Sequence, residues 1–227
     1  VEIMGRHAGW LAGASALAGV TGQGPDLVYL PERNFDMEQF FNDVTQVVKS
    51  TGHCLVAVSE GIHYADGTYI NDVKTAAADG FGHVQLGGLA VYLANMVKHR
   101  LGYKARGIEL SLLQRCAAHI ASQTDLDESY AAGRTAVERA IGGESDCMIG
   151  FTRSEGAKYQ CGVASVPLTE TANAEKKVPD DWINEAGNGV TQEFIDYALP
   201  LIQGEVQVPK VDALPRYAQL RKARVTE

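Results

Sequence analysis

Several common chemistries are missing from this 227-residue chain. Its four cysteines, Cys54, Cys116, Cys147 and Cys161, form no C-x-x-C pair, so a zinc or dithiol redox motif has no support. Three of them sit beside apolar residues and read as buried free thiols of a reducing cytosol. No apolar run approaches the roughly 18 residues that cross a bilayer, and Arg6, His7 and several glycines break up any secretory leader at the start. A G-x-x-x-x-G-K-[ST] loop is lacking, as is a G-x-G-x-x-G fingerprint after a strand. The histidines His7, His53, His63, His83, His99 and His119 show neither metal-ligand spacing nor a Ser-His-Asp order, and each reads as structural or surface. Internal repeats and low-complexity tracts are also lacking. The net charge of −8 argues against wrapping a nucleic-acid backbone, yet leaves room for a local cationic pocket around a small phosphate ester.

What remains is an ordinary globular composition, 45% hydrophobic and 21% charged, long enough for a sizeable core. Strand-like and helix-period segments alternate over the first two thirds, which predicts an α/β fold with a largely parallel sheet and helices on both faces. Residues 1–4 read as a strand end, 8–18 as a helix, 27–30 as a buried strand stopped by Pro31, and 54–58 as another buried strand. Asp36 is placed to cap a helix carrying Phe40, Val44, Val47 and Val48 on one face, with Gly52 ending it. Leu89, Leu93, Met96 and Val97 mark a further helix, and 106–110 a further strand. A helix from about Thr124 carries Tyr130, Gly133, Val137, Ala140 and Ile141 on one face, closed by Gly142 and Gly143. Residues 147–151 and 162–166 read as a strand pair, 169–188 as an exposed polar loop, 191–202 as a last helix, and the tail from Val206 as either wrapping the surface or loosely held. The expected organisation is one α/β lobe over 1–168, with a loop, helix and tail over 169–227. The chain opens at Val1, without a methionine and inside a strand, and reads as cut in mid-fold.

Three places carry candidate chemistry. Met4-Gly5-Arg6 sits where a strand feeds a helix: glycine lets backbone approach a ligand, and arginine offers a planar fork to phosphate or hydroxyl oxygens. A plain structural turn is the competing reading. Ser59-Glu60-Gly61 follows an apolar strand, at the end where open α/β sheets bind ligands; a solvated loop glutamate is the alternative. Arg106 is followed nine residues later by Arg115, preceded by Gln114, along a mostly neutral stretch. Two arginines there suit a dianionic phosphate, against ion pairing with some of the 28 acidic residues.

Taken together, VEIMGRHAGWLA at 1–12, AVSEGI at 57–62 and ARGIELSLLQRCAAHIAS at 105–122 resemble the 6-phosphofructokinase family, in order and with fitting spacing over nearly the whole chain. The QRCAAH form of the last motif, with VPDDWIN and GNGVTQEF downstream, is similar to the pyrophosphate-dependent or mixed-donor branch. The resemblance implies a two-lobed enzyme that moves a phosphoryl group from pyrophosphate, or ATP, to the 1-hydroxyl of fructose 6-phosphate in cytoplasmic glycolysis, as a homodimer or homotetramer, with neither nucleic acid nor membrane as a partner. By the same resemblance Met4, Gly5, Arg6, Glu60, Arg106 and Arg115 bind the sugar phosphate, Arg106 from a neighbouring subunit, and Arg6 is a candidate transition-state contact. Where the family has His or Tyr touching the phosphate, this chain has Leu112. The donor loop, the Mg²⁺ site and the catalytic base are expected upstream of Val1, leaving no catalytic residue here. A non-catalytic regulatory subunit that binds sugar phosphate is the second reading, and an unrelated α/β enzyme or binding module the third.

Overall fold

Three short strands, buried on both sides, build the sheet that positions everything else. In a computed structural model describing residues 1–71, 88–154, 156, 158–221 and 223, β1 (Glu2–Ile3) and β2 (Leu27–Tyr29) both pair in parallel with β3 (Val56–Ser59), in the order β1-β3-β2. His83, Lys222 and Arg224 lie outside the described residues. The strands lack polar alternation because both faces are covered. Leu27, Tyr29 and Val58 pack with Phe40, Val44, Leu93 and Val97 of α2 (Met37–Thr51) and α3 (Leu89–Leu101). On the other face Ile3, Val28 and Ala57 pack with Ala12 of α1 (Trp10–Ala14) and with Phe194 and Ala198 of α7 (Gln192–Ala198). The α/β fold with helices on both faces is therefore present, its parallel part confined to this sheet.

Local signals set most boundaries. The Asp36 side chain accepts the Gln39 amide at 2.9 Å and starts α2, and Gly52 ends it. The helix expected over 8–18 is α-helical only through Ala14 and then tightens into a 3₁₀ helix, Ser15–Thr21. At that junction the Ser15 hydroxyl donates to the Ala12 carbonyl, diverting an acceptor from the α ladder. The strand expected over 106–110 shrinks to a parallel bridge between Glu2 and Glu109. Gly107 there lies against the Ala90 backbone, so a Cβ would come within 2.5 Å of it, and this close crossing of α3 leaves only the far end free to pair.

The stretch 169–188 is mostly exposed, as its composition predicts, but it is pinned to the core at a few points. A short helix α6 (Leu168–Thr171) opens it, and Val178 and Ile183 are 3% and 4% exposed, plugged into the core. Trp182 joins Trp10, Phe194 and Tyr197 in an aromatic cluster. Asn188 donates to Asp43, a buried carboxylate that also takes the Tyr29 hydroxyl and the Gln39 amide. These few apolar and amide anchors are diluted among charged neighbours, which hides them from a composition reading.

Between α3 and Val178 the burial pattern reverses: no described residue from 98 to 177 is buried. This stretch holds α4 (Leu113–Cys116), α5 (Gln123–Ile141) and the antiparallel ribbon β4 (Cys147–Arg153) and β5 (Cys161–Pro167). The apolar stripe expected on α5 exists but is uncovered, with Tyr130, Val137 and Ile141 at 72%, 59% and 82% exposure. The last helical segment ends in a 3₁₀ turn, Leu199–Ile202, and the tail forms a two-residue ribbon, β6 (Lys210–Val211) with β7 (Leu214–Pro215). The expectation of buried thiols fails as well: all four cysteines are free, Cys116 is exposed and the others are half-buried. Burial still pushes the Cys54 thiol up to about 11. Among the described residues no helix is long and apolar enough to cross a membrane.

Candidate functional site

Adjacent strands β1 and β3 send their chains to opposite faces, β1 into α1 and β3 onward to α3. Where neighbouring strands part in this way, their carboxyl ends open into a crevice, the usual ligand position in such sheets. Met4-Gly5-Arg6 and Ser59-Glu60-Gly61 are the residues that leave these two ends.

The crevice is stitched from side to side. The Glu60 amide donates to the Ile3 carbonyl at 2.9 Å, and the Gly61 amide donates to Gly5 at 3.2 Å. The Ser59 hydroxyl, fully buried, donates to the same Gly5 carbonyl. In return the Gly5 amide donates to Glu60 Oε1 at 3.3 Å, and the second Glu60 oxygen makes no hydrogen bond to a described residue. Gly5 needs to be glycine on two counts: its φ is +151°, and a Cβ would lie 2.7 Å from both the Ala8 carbonyl oxygen and Ser59 Oγ. Gly61 is closer still, since a Cβ there would fall 1.7 Å from the Arg6 carbonyl oxygen.

The third motif arrives beside the first. Once Glu109 has paired with Glu2, the chain turns through Ser111 (φ 41°) into α4. Gln114 Oε1 then accepts the Met4 amide at 2.8 Å, and Arg115 Nε lies 3.3 Å from Met4 Sδ. Gln114 and Arg115 thus reach Met4, and Glu60 reaches Gly5, at one edge, with the Arg6 backbone against Gly61. Arg6 and Glu60 are half-buried and Arg115 is exposed, so this edge carries two arginines and a carboxylate.

Arg106 is not among them. It is exposed and lies at the amino end of the sheet, on the wall of a cavity of about 650 Å³ lined also by Val1, Leu55, Val56 and Lys104. Leu112 is 66% exposed just ahead of α4. Among the described residues no group of three or more His, Cys, Asp or Glu side chains could hold a metal ion.

Some contributions escaped the sequence reading. Ser59, Gly61 and Gln114 were named only as members of their motifs, and the backbone contacts by which they shape the crevice give no signal in spacing. His7 Nδ1 is 2.5 Å from Glu175 Oε1, a pairing across 168 residues. Glu32 holds two backbone amides behind the Met4–Gly9 turn.

Behind the crevice the Glu2 carboxylate is 6% exposed and accepts the Ala90 amide at 2.9 Å. Burial pushes its carboxyl above the usual range; the Ala90 amide opposes this, and the nearby Glu109 and Glu60 add to it. The folded state then holds the proton more tightly than the unfolded one, so stability falls as pH climbs from the ordinary glutamate range through the raised folded value. Glu2→Gln keeps an acceptor for Ala90 and removes the titration. Urea melts across pH 4 to 7 should show the variant gaining on the wild type as pH rises, and a pH-independent difference would refute the assignment.

Comparison with known proteins fits this geometry. A family model described as phosphofructokinase matches residues 1–109. The pyrophosphate–fructose 6-phosphate 1-phosphotransferase of Halomonas elongata is 46% identical over 226 residues, 99% of this chain and 54% of the relative. That of Methylococcus capsulatus is 42% identical, covering 97% of this chain and 52% of the relative. The crystal structure of a pyrophosphate-dependent phosphofructokinase from Marinobacter aquaeolei superposes with a TM-score of 0.82 at 39% identity, over 100% of this chain and 53% of that one. The chain spans about half the length of the curated relatives it matches.

Proposed function

The chain belongs to the phosphofructokinase family, and from that premise we propose that it forms the acceptor half of an enzyme transferring a phosphoryl group from pyrophosphate to the 1-hydroxyl of fructose 6-phosphate. The convergence of Met4-Gly5-Arg6, Ser59-Glu60-Gly61 and Gln114-Arg115 on the crevice between β1 and β3 carries the reading. Three segments far apart in sequence supply two arginines and one carboxylate whose second oxygen makes no hydrogen bond to a described residue. That set suits a phosphorylated hexose: arginine forks match phosphate oxygens in pairs, and a carboxylate accepts sugar hydroxyls.

In this reading Arg115 and Arg6 hold the substrate's phosphate end, and Glu60 fixes the ring hydroxyls with the oxygen that does not bind Gly5. The contribution of this half is orientation, which brings the 1-hydroxyl to a fixed place. Donor, magnesium and base belong to the other half of a phosphofructokinase-length protein; the metal, when bound, neutralises charge developing on the transferred phosphoryl group. Arg106 serves the site of a neighbouring subunit in a homodimer or homotetramer, consistent with its exposed place at the opposite end of the sheet. The names of the relatives favour pyrophosphate over ATP as donor, and glycolysis in the cytoplasm is the setting.

Titrating the 227-residue chain calorimetrically with fructose 6-phosphate, and assaying it with Mg²⁺ plus pyrophosphate or ATP, tests the proposal. Saturable sugar-phosphate binding without turnover is expected. Turnover would place the donor machinery inside this chain, and failure to bind would remove the acceptor site from it.

A further inference from the structure

We infer that Glu32 is a positioning residue for the sugar-phosphate site, acting through the turn that presents Arg6; the inference rests on the acceptor-site reading above. The front of that turn is fixed by the Ser59, Glu60 and Gly61 contacts to Gly5. Its back is fixed elsewhere. Glu32, just past β2, places Oε1 2.9 Å from the Gly9 amide and 2.9 Å from the Val178 amide. One carboxylate oxygen therefore bolts the end of the turn to the strap 172–178.

The strap then reaches the turn at two more points. Glu175 takes His7 Nδ1, and the Lys176 carbonyl takes the Trp10 indole N–H at 2.7 Å. Contacts at residues 7, 9 and 10 on one side and at Gly5 on the other leave Arg6 suspended between two anchored ends. Of these rear anchors only Glu32 lies on the sheet side, just past β2, and through it the strap is tied to Gly9.

Two further observations say that this carboxylate is placed for geometry. Its second oxygen, Oε2, is buried with no hydrogen-bond partner among the described residues, an arrangement that costs stability and calls for a reason. Gly9 lies so close that a Cβ would come within 2.8 Å of Oε2. A bulkier residue at position 9 would thus push the carboxylate off the amide it holds. None of these groups belongs to the candidate ligand-contacting set, so Glu32 acts on substrate through Arg6.

The test compares wild type with E32Q and E32D, measuring fructose 6-phosphate affinity by calorimetry and the Gly9 and Val178 amide resonances by NMR. Glutamine keeps an acceptor oxygen at the same reach, so E32Q should stay within about 3-fold of wild-type affinity and keep both amides downfield. Aspartate keeps the charge but falls one methylene short; E32D should move both amides upfield and lose about 10-fold in affinity, given how steeply binding and rate depend on ångström-scale placement. A purely structural role would lower the melting temperature of E32D and leave affinity untouched, and that result overturns the inference. Wild type failing to bind the sugar phosphate would instead overturn the site reading on which it rests.

Discussion

Gly61→Ala should lower fructose 6-phosphate affinity by about 100-fold or more, with a lower melting temperature. The added Cβ would fall 1.7 Å from the Arg6 carbonyl oxygen and 2.4 Å from its carbon, and backbone cannot swing aside as a flexible side-chain tip can. Either β3 moves away from β1 or the Met4–Gly9 turn is driven outward. Both routes break the Gly61-to-Gly5 hydrogen bond and carry Arg6 off its position. Overpacking alone costs roughly 1–3 kcal/mol, and an ångström of misplacement at a binding group accounts for about two further orders of magnitude. Gly19→Ala is the matched control, since a Cβ at position 19 meets nothing within 4 Å. Equal affinities for the two variants would show that the turn yields without consequence and that Arg6 does not depend on it.

Arg115→Ala should cost fructose 6-phosphate binding about 10- to 100-fold, because hydrogen bonds to charged groups contribute roughly 1.5–3 kcal/mol. The residue is exposed on a four-residue helix, and its side chain's hydrogen-bond partner among the described residues is Met4 Sδ, so the fold should survive its loss. Glu60→Gln offers the contrast. Its amide oxygen can still accept the Gly5 N–H, and hydroxyls still find an acceptor, so its loss should be several-fold smaller. Calorimetric titration of the two variants side by side gives the order directly. If Glu60→Gln proves the more damaging, the carboxylate matters through its charge, and the roles assigned to the two residues need exchanging.

How much of this could be read beforehand depended on where each signal is written. The sheet and its helices were legible because burial on both faces leaves uninterrupted apolar strands at 27–29 and 56–58, and because Asp36 and Gly52 bracket α2 by local chemistry. The α5 helix was legible as a helix but not in its surroundings: periodicity reports which face is apolar, not whether anything in the chain covers it. At the candidate site the ligand-facing types, Arg6, Glu60 and Arg115, stood out as charges in apolar contexts. The parts that hold them did not. Ser59 acts through one hydroxyl to a backbone carbonyl, Gly61 by lacking an atom, and Glu32 through two amides 169 positions apart in the chain, Gly9 and Val178. Such roles belong to three-dimensional proximity, and a one-dimensional pattern carries no trace of them.

The core that grips α1, β2 and α7 is assembled from the two sides of the unburied stretch 98–177, with Val178, Ile183, Phe194 and Ala198 packed onto Ile3, Ala12, Val28 and Ala57. What keeps residues 178–202 on the sheet is therefore this apolar contact, reinforced by the Asn188 and Glu32 hydrogen bonds, and not the peptide chain leading up to them. A break in the chain between α5 and β4 should therefore leave this core together. Two separately expressed pieces divided there are expected to reassociate, with Met4, Glu60 and Arg115 all on the first.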